Sequence, residues 1–109
     1  MNIPPIASTP VHPIREILEE ASRLFGYKPD TITGKRRDAP IMEVRKTVCF
    51  VAVSAGHSRA AVGRAMGYKD HSTVIHHVNA FPYVERSFSE SKRLIVRELL
   101  TRFSGLVVK

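Results

Sequence analysis

Between Ser58 and Phe81 two helical patterns are separated only by the few residues around Gly67. The first, "SRAAVGRAM", opens on Ser58, a good N-cap, and is closed by Gly67 as a left-handed residue. The second runs from about Asp70 to Phe81, and Pro82 is expected to kink or stop it. Helices joined by so short a turn must pack on one another. Gly63 supports this, because a glycine inside a helix costs about 1 kcal/mol relative to alanine. Its presence predicts a close approach of the two helices.

The rest of the chain reads as helix too. Ile14, Ile17, Leu18, Ala21, Leu24 and Phe25 form one apolar stripe at helical spacing, with Pro13 suited to the first turn and Gly26 to the stop. "KPDTIT" adds a short helical turn, and "GKRRDAP" is a loop whose Pro40 opens the next helix. Residues 40 to about 55, "PIMEVRKTVCFVAVSA", are apolar on most faces except near Glu43, Arg45 and Lys46. That pattern predicts a central helix with one end at the surface. A last helix is expected over roughly 87–104, burying Phe88, Ile95, Leu99 and Phe103. Residues 1–11, rich in Pro, Ser and Thr, read as a flexible arm ahead of one domain over 12–109. No strand pair or repeat is evident, so the fold class is all-α, a compact helical domain.

Charge narrows the partner. The 17 basic residues outnumber the 10 acidic ones, for a net charge of +7. Residues 1–33 carry three basic and four acidic groups, residues 34–77 eight and three, and residues 78–109 six and three. Positive charge gathered in the middle of the chain suggests a polyanion. Nothing in the chain resembles a membrane span or a signal peptide, and a cytoplasmic protein is expected. The single cysteine, Cys49 in "VCFVAV", excludes an internal disulfide and reads as a small buried residue.

The segment "MGYKDHSTVIHH" holds the residues with chemistry. Asp70, His71 and Ser72 are the types of a hydrolytic triad, but as consecutive residues they cannot align the two hydrogen bonds a triad needs. No catalytic residues are expected. His71 and His76 lie about 140° apart around a helix, and His76 and His77 diverge by about 100°. A metal site is therefore not expected, and neither is a cofactor. With Val74 facing the core, Val78 and Phe81 share its side, while Ser72, Thr73 and His76 point outward. A short helix, a Gly-containing turn and a second helix with small polar groups at its outer N-terminal half describe a helix-turn-helix. In that motif the second helix enters the DNA major groove by its N-terminus. Ser and Thr can bond base edges or phosphates, the Thr73 methyl can pack on a thymine methyl, and Asp70 can accept from a cytosine amino group. Free N–H groups at the helix start attract phosphate, and Lys69 adds charge. An equally available role for Asp70 is a plain N-cap, and one carboxylate can do both.

At these residues "AVGRAMGYKDHSTVIHH" resembles the C-terminal double-stranded-DNA-binding domain of the bacterial replication initiator DnaA. The resemblance extends through "GKRR" and the helix at 40–55, and more loosely over most of residues 12–104. It implies that Lys69, Asp70, His71, Ser72 and Thr73 line the major groove, with His76 on a phosphate. It also implies that Arg37 enters an adjacent minor groove with Lys35 and Arg36 on the backbone. Narrow A/T-rich minor grooves do attract arginine. Arg45 and Lys46 match a basic phosphate-contacting position. Two departures stand out. The family's basic-Pro-Arg step is here Glu43-Val44-Arg45, which should weaken or re-aim a backbone contact. The initiator's ATPase module is also missing, since no GxxxxGK[ST] occurs. The resemblance thus implies a DNA-binding regulator of transcription or replication initiation, without ATPase activity. It would bind a TTATCCACA-like box, as a monomer on DNA. The alternative from another class is a protein-interaction module of the same fold, binding DnaA or another partner.

Overall fold

The computed structural model describes residues 11–105. The arm expected over residues 1–11 therefore lies, but for Val11, outside the described residues. Helix α1 (Ile14–Phe25) turns Ile17 and Ala21 fully inward. It ends where predicted, at Gly26 with φ of 82°, whose N–H donates to the Ser22 carbonyl. The Tyr27 N–H donates to the same carbonyl at 3.1 Å, so the last turn is closed by two bonds. A single turn, α2 (Pro29–Thr33), buries Ile32. The basic loop follows, and α3 (Ala39–Ser54) begins with Pro40 in its first turn, where a missing N–H costs nothing.

Helix α3 is the axle of the domain. It packs against α1 and α2, against α4 (Arg59–Met66) and, most extensively, against α5 (Ser72–Glu85). A helix buried on most of its faces must be apolar nearly all round, as α3 is with Ile41, Val44, Val48, Cys49, Val51 and Ala52 in the core. Burial pushes the Cys49 thiol up to about 12, which leaves it an inert core residue.

Ser58 caps α4 by accepting from the Ala61 N–H at 3.1 Å. Gly67 closes it with φ of 77°, and the Tyr68 N–H reaches back to the Gly63 carbonyl at 2.8 Å. A Cβ placed on Gly63 would stand 3.4 Å from the His71 Cα and 3.7 Å from Val74 Cγ2. Gly63 is thus where the start of α5 leans on α4, as its place in the sequence predicts.

Three expectations need correction. Of the two outcomes expected of Pro82, a kink or a stop, the stop does not occur, and α5 runs on to Glu85. Packing overrides the lost hydrogen bond: Phe81 is 1 % exposed, stacks on Phe50 with centroids 4.5 Å apart and meets Phe88 edge-on. The last helix starts at Glu90 rather than near position 87 and runs without a break to Ser104, its final turn π-helical. Ser89 caps α6 (Glu90–Leu99) by accepting from Lys92 N–H at 3.3 Å, and Phe88 folds into the core from the preceding turn. A π-helical turn, α7 (Leu100–Ser104), completes the chain as described. Finally, Val96 is buried where Ile95 was expected, and Ile95 is only half-buried. Among the described residues there is no strand, and no helix is long and apolar enough to cross a membrane.

Candidate nucleic-acid interface

The first backbone N–H groups of α5 find acceptors within the turn between α4 and α5. Asp70 Oδ1 accepts from the Ser72 N–H at 3.0 Å. The Asp70 carbonyl accepts from Thr73 N–H, and the His71 carbonyl from Val74 and Ile75 N–H. Asp70 is therefore a cap in function, one residue earlier than the formal helix boundary. The Ser72 N–H and hydroxyl, together with nearby His71, hold the Asp70 carboxyl below the usual carboxylate range, against a small opposing effect of desolvation. Lys69, Asp70, His71 and His76 are exposed, and Ser72 and Thr73 are half-buried. Behind them Val74, Val78 and Phe81 enter the core. Helix periodicity separates the two faces as predicted.

Loop 34–38 leaves the end of α2. A Cβ on Gly67 would lie 3.8 Å from the carbonyl oxygen of Thr33, so the end of α2 abuts the turn that delivers α5. Lys35 and Arg37 are exposed and, among the described residues, have no ion-pair partner. Arg36 differs. Its guanidinium makes a two-pronged contact with Asp38, both bonds 2.8 Å, and sits 5.8 Å from the Tyr27 ring centre. Bonding to Arg36 holds the Asp38 carboxyl low, and Asp38 in turn raises the guanidinium. Its charge is neutralised within the loop, unlike that of its neighbours.

Arg45 corrects the sequence reading outright. Expected on a phosphate, it is 4 % exposed. Its Nε donates to the Ile32 carbonyl at 2.6 Å and Nη2 to the Gly34 carbonyl at 2.6 Å. Nη1 donates to the Arg36 carbonyl, and Nη2 reaches Thr31 O at 3.5 Å. One guanidinium, with its five N–H donors in a rigid fork, thereby gathers the carbonyls of the basic loop. A sequence signal existed: position 45 lies four residues after buried Ile41 and four before buried Cys49, on one face of α3.

Lys46, the next residue, is half-buried and has no ion-pair partner among the described residues. Its charge is felt by His77 on α5. That imidazole, 6 % exposed, is pushed down to about 4, first by burial and then by Lys46, Arg45 and His76. Tyr68 packs edge-on against it, centroids 5.6 Å apart. Tyr68 and His77 went unremarked as structural partners in the sequence, although His77 lies three after Val74 and four before Phe81 on the buried face. Glu43, the departure from the family's step, pairs with Lys92 of α6 at 2.9 Å. It ties α3 to α6.

A short capped helix, a turn closed by a left-handed glycine, and a second helix with an open polar tip define a helix-turn-helix protein. The family described as bacterial DnaA protein helix-turn-helix matches residues 14–80, and the chain belongs to it. This is a DNA-binding family, not a catalytic one. The match takes in both the α5 tip and the basic loop, while the end of α5, α6 and α7 lie beyond it. No curated protein matches the chain.

Proposed function

We propose that the protein binds double-stranded DNA at a DnaA-box-like site and regulates transcription or replication initiation there without ATP hydrolysis. The observation that carries this reading is the approach of the end of α2, from which the Lys35–Arg37 loop leaves, to the α4–α5 turn, since a recognition helix and an arm must reach one duplex together. Lys69, Asp70, His71, Ser72 and Thr73 face the major groove, with Thr73 and Asp70 reading bases. His76, Lys46 and Lys35 bond phosphates, and Arg37 enters the neighbouring minor groove. Arg36 serves the backbone only by exchanging Asp38 for a phosphate. Arg45 acts indirectly, by fixing the loop. The protein binds as a monomer, because the box is asymmetric and one tip with one arm accounts for it.

Fluorescence anisotropy on box and scrambled duplexes over a salt series tests the proposal. Thr73→Ala is expected to lower affinity for the box far more than for scrambled DNA. Equal binding of both duplexes by the unmodified chain, with little response to salt, would instead favour the protein-interaction module.

A further inference from the structure

Among the described residues the cations without an acidic partner include Lys28, Arg59 and Arg64 and, more closely grouped, two sets. One is at the interface just described. The other is at the opposite end of α5, where Arg86, Arg93 and Arg97 line a surface cavity of about 350 Å³ together with Glu85, Val96 and Leu100. None of these arginines forms a salt bridge among the described residues, although six ion pairs occur elsewhere. The Arg93 Nη2 donates to the Arg86 carbonyl at 3.0 Å, which holds the Arg93 fork at the helix junction. Arg86 lies 5.1 Å from the centre of the Tyr83 ring, and Tyr83 is 68 % exposed. Leu94, 54 % exposed, sits three residues before Arg97 and so beside it on α6. Guanidinium groups without an acidic partner, flanked by an exposed tyrosine and an exposed leucine, are matched to carboxylates alternating with apolar side chains.

We propose that this α5–α6 cavity is a docking site for an acidic, partly apolar peptide segment of a partner protein. Carboxylates pair with Arg86, Arg93 and Arg97, and an apolar side chain packs on Tyr83 and Leu94. DNA fits less well. A 14-residue helix is about 20 Å long, so a duplex held at the α5 tip lies far from the cavity. The basic residues also surround a pocket rather than form a track for a phosphate backbone. The site lies outside residues 14–80, over which the family model matches. It would let a DNA-bound protein hold a second molecule on its free end.

The test uses the full chain and a short synthetic peptide of glutamates interspersed with leucine and phenylalanine, with its glutamine counterpart and a scrambled duplex as comparisons. Amide and arginine side-chain NMR shifts locate binding, and anisotropy measures it. The glutamate peptide is expected to bind saturably, shifting Arg86, Arg93, Arg97 and Val96, while the glutamine peptide does not. Arg93→Gln/Arg97→Gln, both exposed changes to good helix formers, should weaken the peptide about tenfold, the equivalent of about 1.4 kcal/mol. Its affinity for the box duplex should be unchanged, which separates this site from the DNA reading. Peptide shifts confined to Lys35–Arg37, equal binding by the double variant, or scrambled duplex binding through these arginines would each overturn the proposal.

Discussion

Arg45→Met removes the guanidinium that gathers the basic loop while keeping an unbranched side chain in the same helix. Hydrogen bonds to a charged group are worth about 1.5–3 kcal/mol each. The carbonyls of Gly34 and Arg36 belong to exposed residues and regain water when the arginine goes. The Ile32 carbonyl belongs to a residue with no exposure and is left unsatisfied, at about 1–3 kcal/mol. Together these set an expected loss of about 3 kcal/mol, at the lower end of the roughly 3–5 kcal/mol for stranding a buried charge, since no charge is stranded. With a urea slope of about 1.5 kcal/mol/M, the midpoint should fall by about 2 M at constant slope, read by helical circular dichroism. Box affinity should fall as well, because Lys35 and Arg37 lose their fixed positions, but the salt dependence should change little. A phosphate-contacting arginine behaves the other way: stability stays put and the salt slope drops by about 0.9. That second pattern would refute the positioning role.

His77 makes stability sensitive to acid. Its folded value of about 4 lies below the ordinary histidine range, so the unfolded chain takes up the proton first. The stabilisation is complete above about pH 6.5 and is lost as pH falls towards 4, by at most about 3 kcal/mol. Urea unfolding at both ends of that window checks the loss, and His77→Leu should remove it; an unchanged pH slope in that variant would assign the acid sensitivity elsewhere. At Gly63, alanine places a methyl 3.4 Å from the His71 Cα and should be close to neutral. Valine has to displace the start of α5 and should cost about 1–3 kcal/mol in thermal unfolding; equal melting of the two variants would mean the helices part there easily. Arg37→Ala is expected to cost about 1–3 kcal/mol on the box, and unchanged affinity would leave the loop as solvated surface.

Local rules carried most of the architecture. Gly26, Gly67 and Ser58 end or begin helices as their chemistry predicts, and the α5 tip faces outward because periodicity alone separates Thr73 from Val74. What sequence reasoning missed depends on partners distant along the chain. Pro82 is carried within α5 by Phe50, some thirty residues earlier in α3, and by Phe88 in the turn beyond. Arg45 is buried because four carbonyls from residues 31–36 converge on it, and no short-range pattern announces such a cluster. A charged residue defaults to the surface in any such reading. Only its position on the Ile41–Cys49 face argues otherwise. The Arg86–Arg93–Arg97 cavity was hidden for the same reason, since α5 and α6 had to be brought together before those side chains shared a surface.

The most direct measurement is an amide NMR titration of the labelled chain with a box duplex. The account predicts that the largest shifts cluster at Lys69–His76 and at Lys35–Arg37, move together at one stoichiometry, and spare Arg93 and Arg97. Shifts centred on α6, or movement of the α5 tip without the loop, would contradict it.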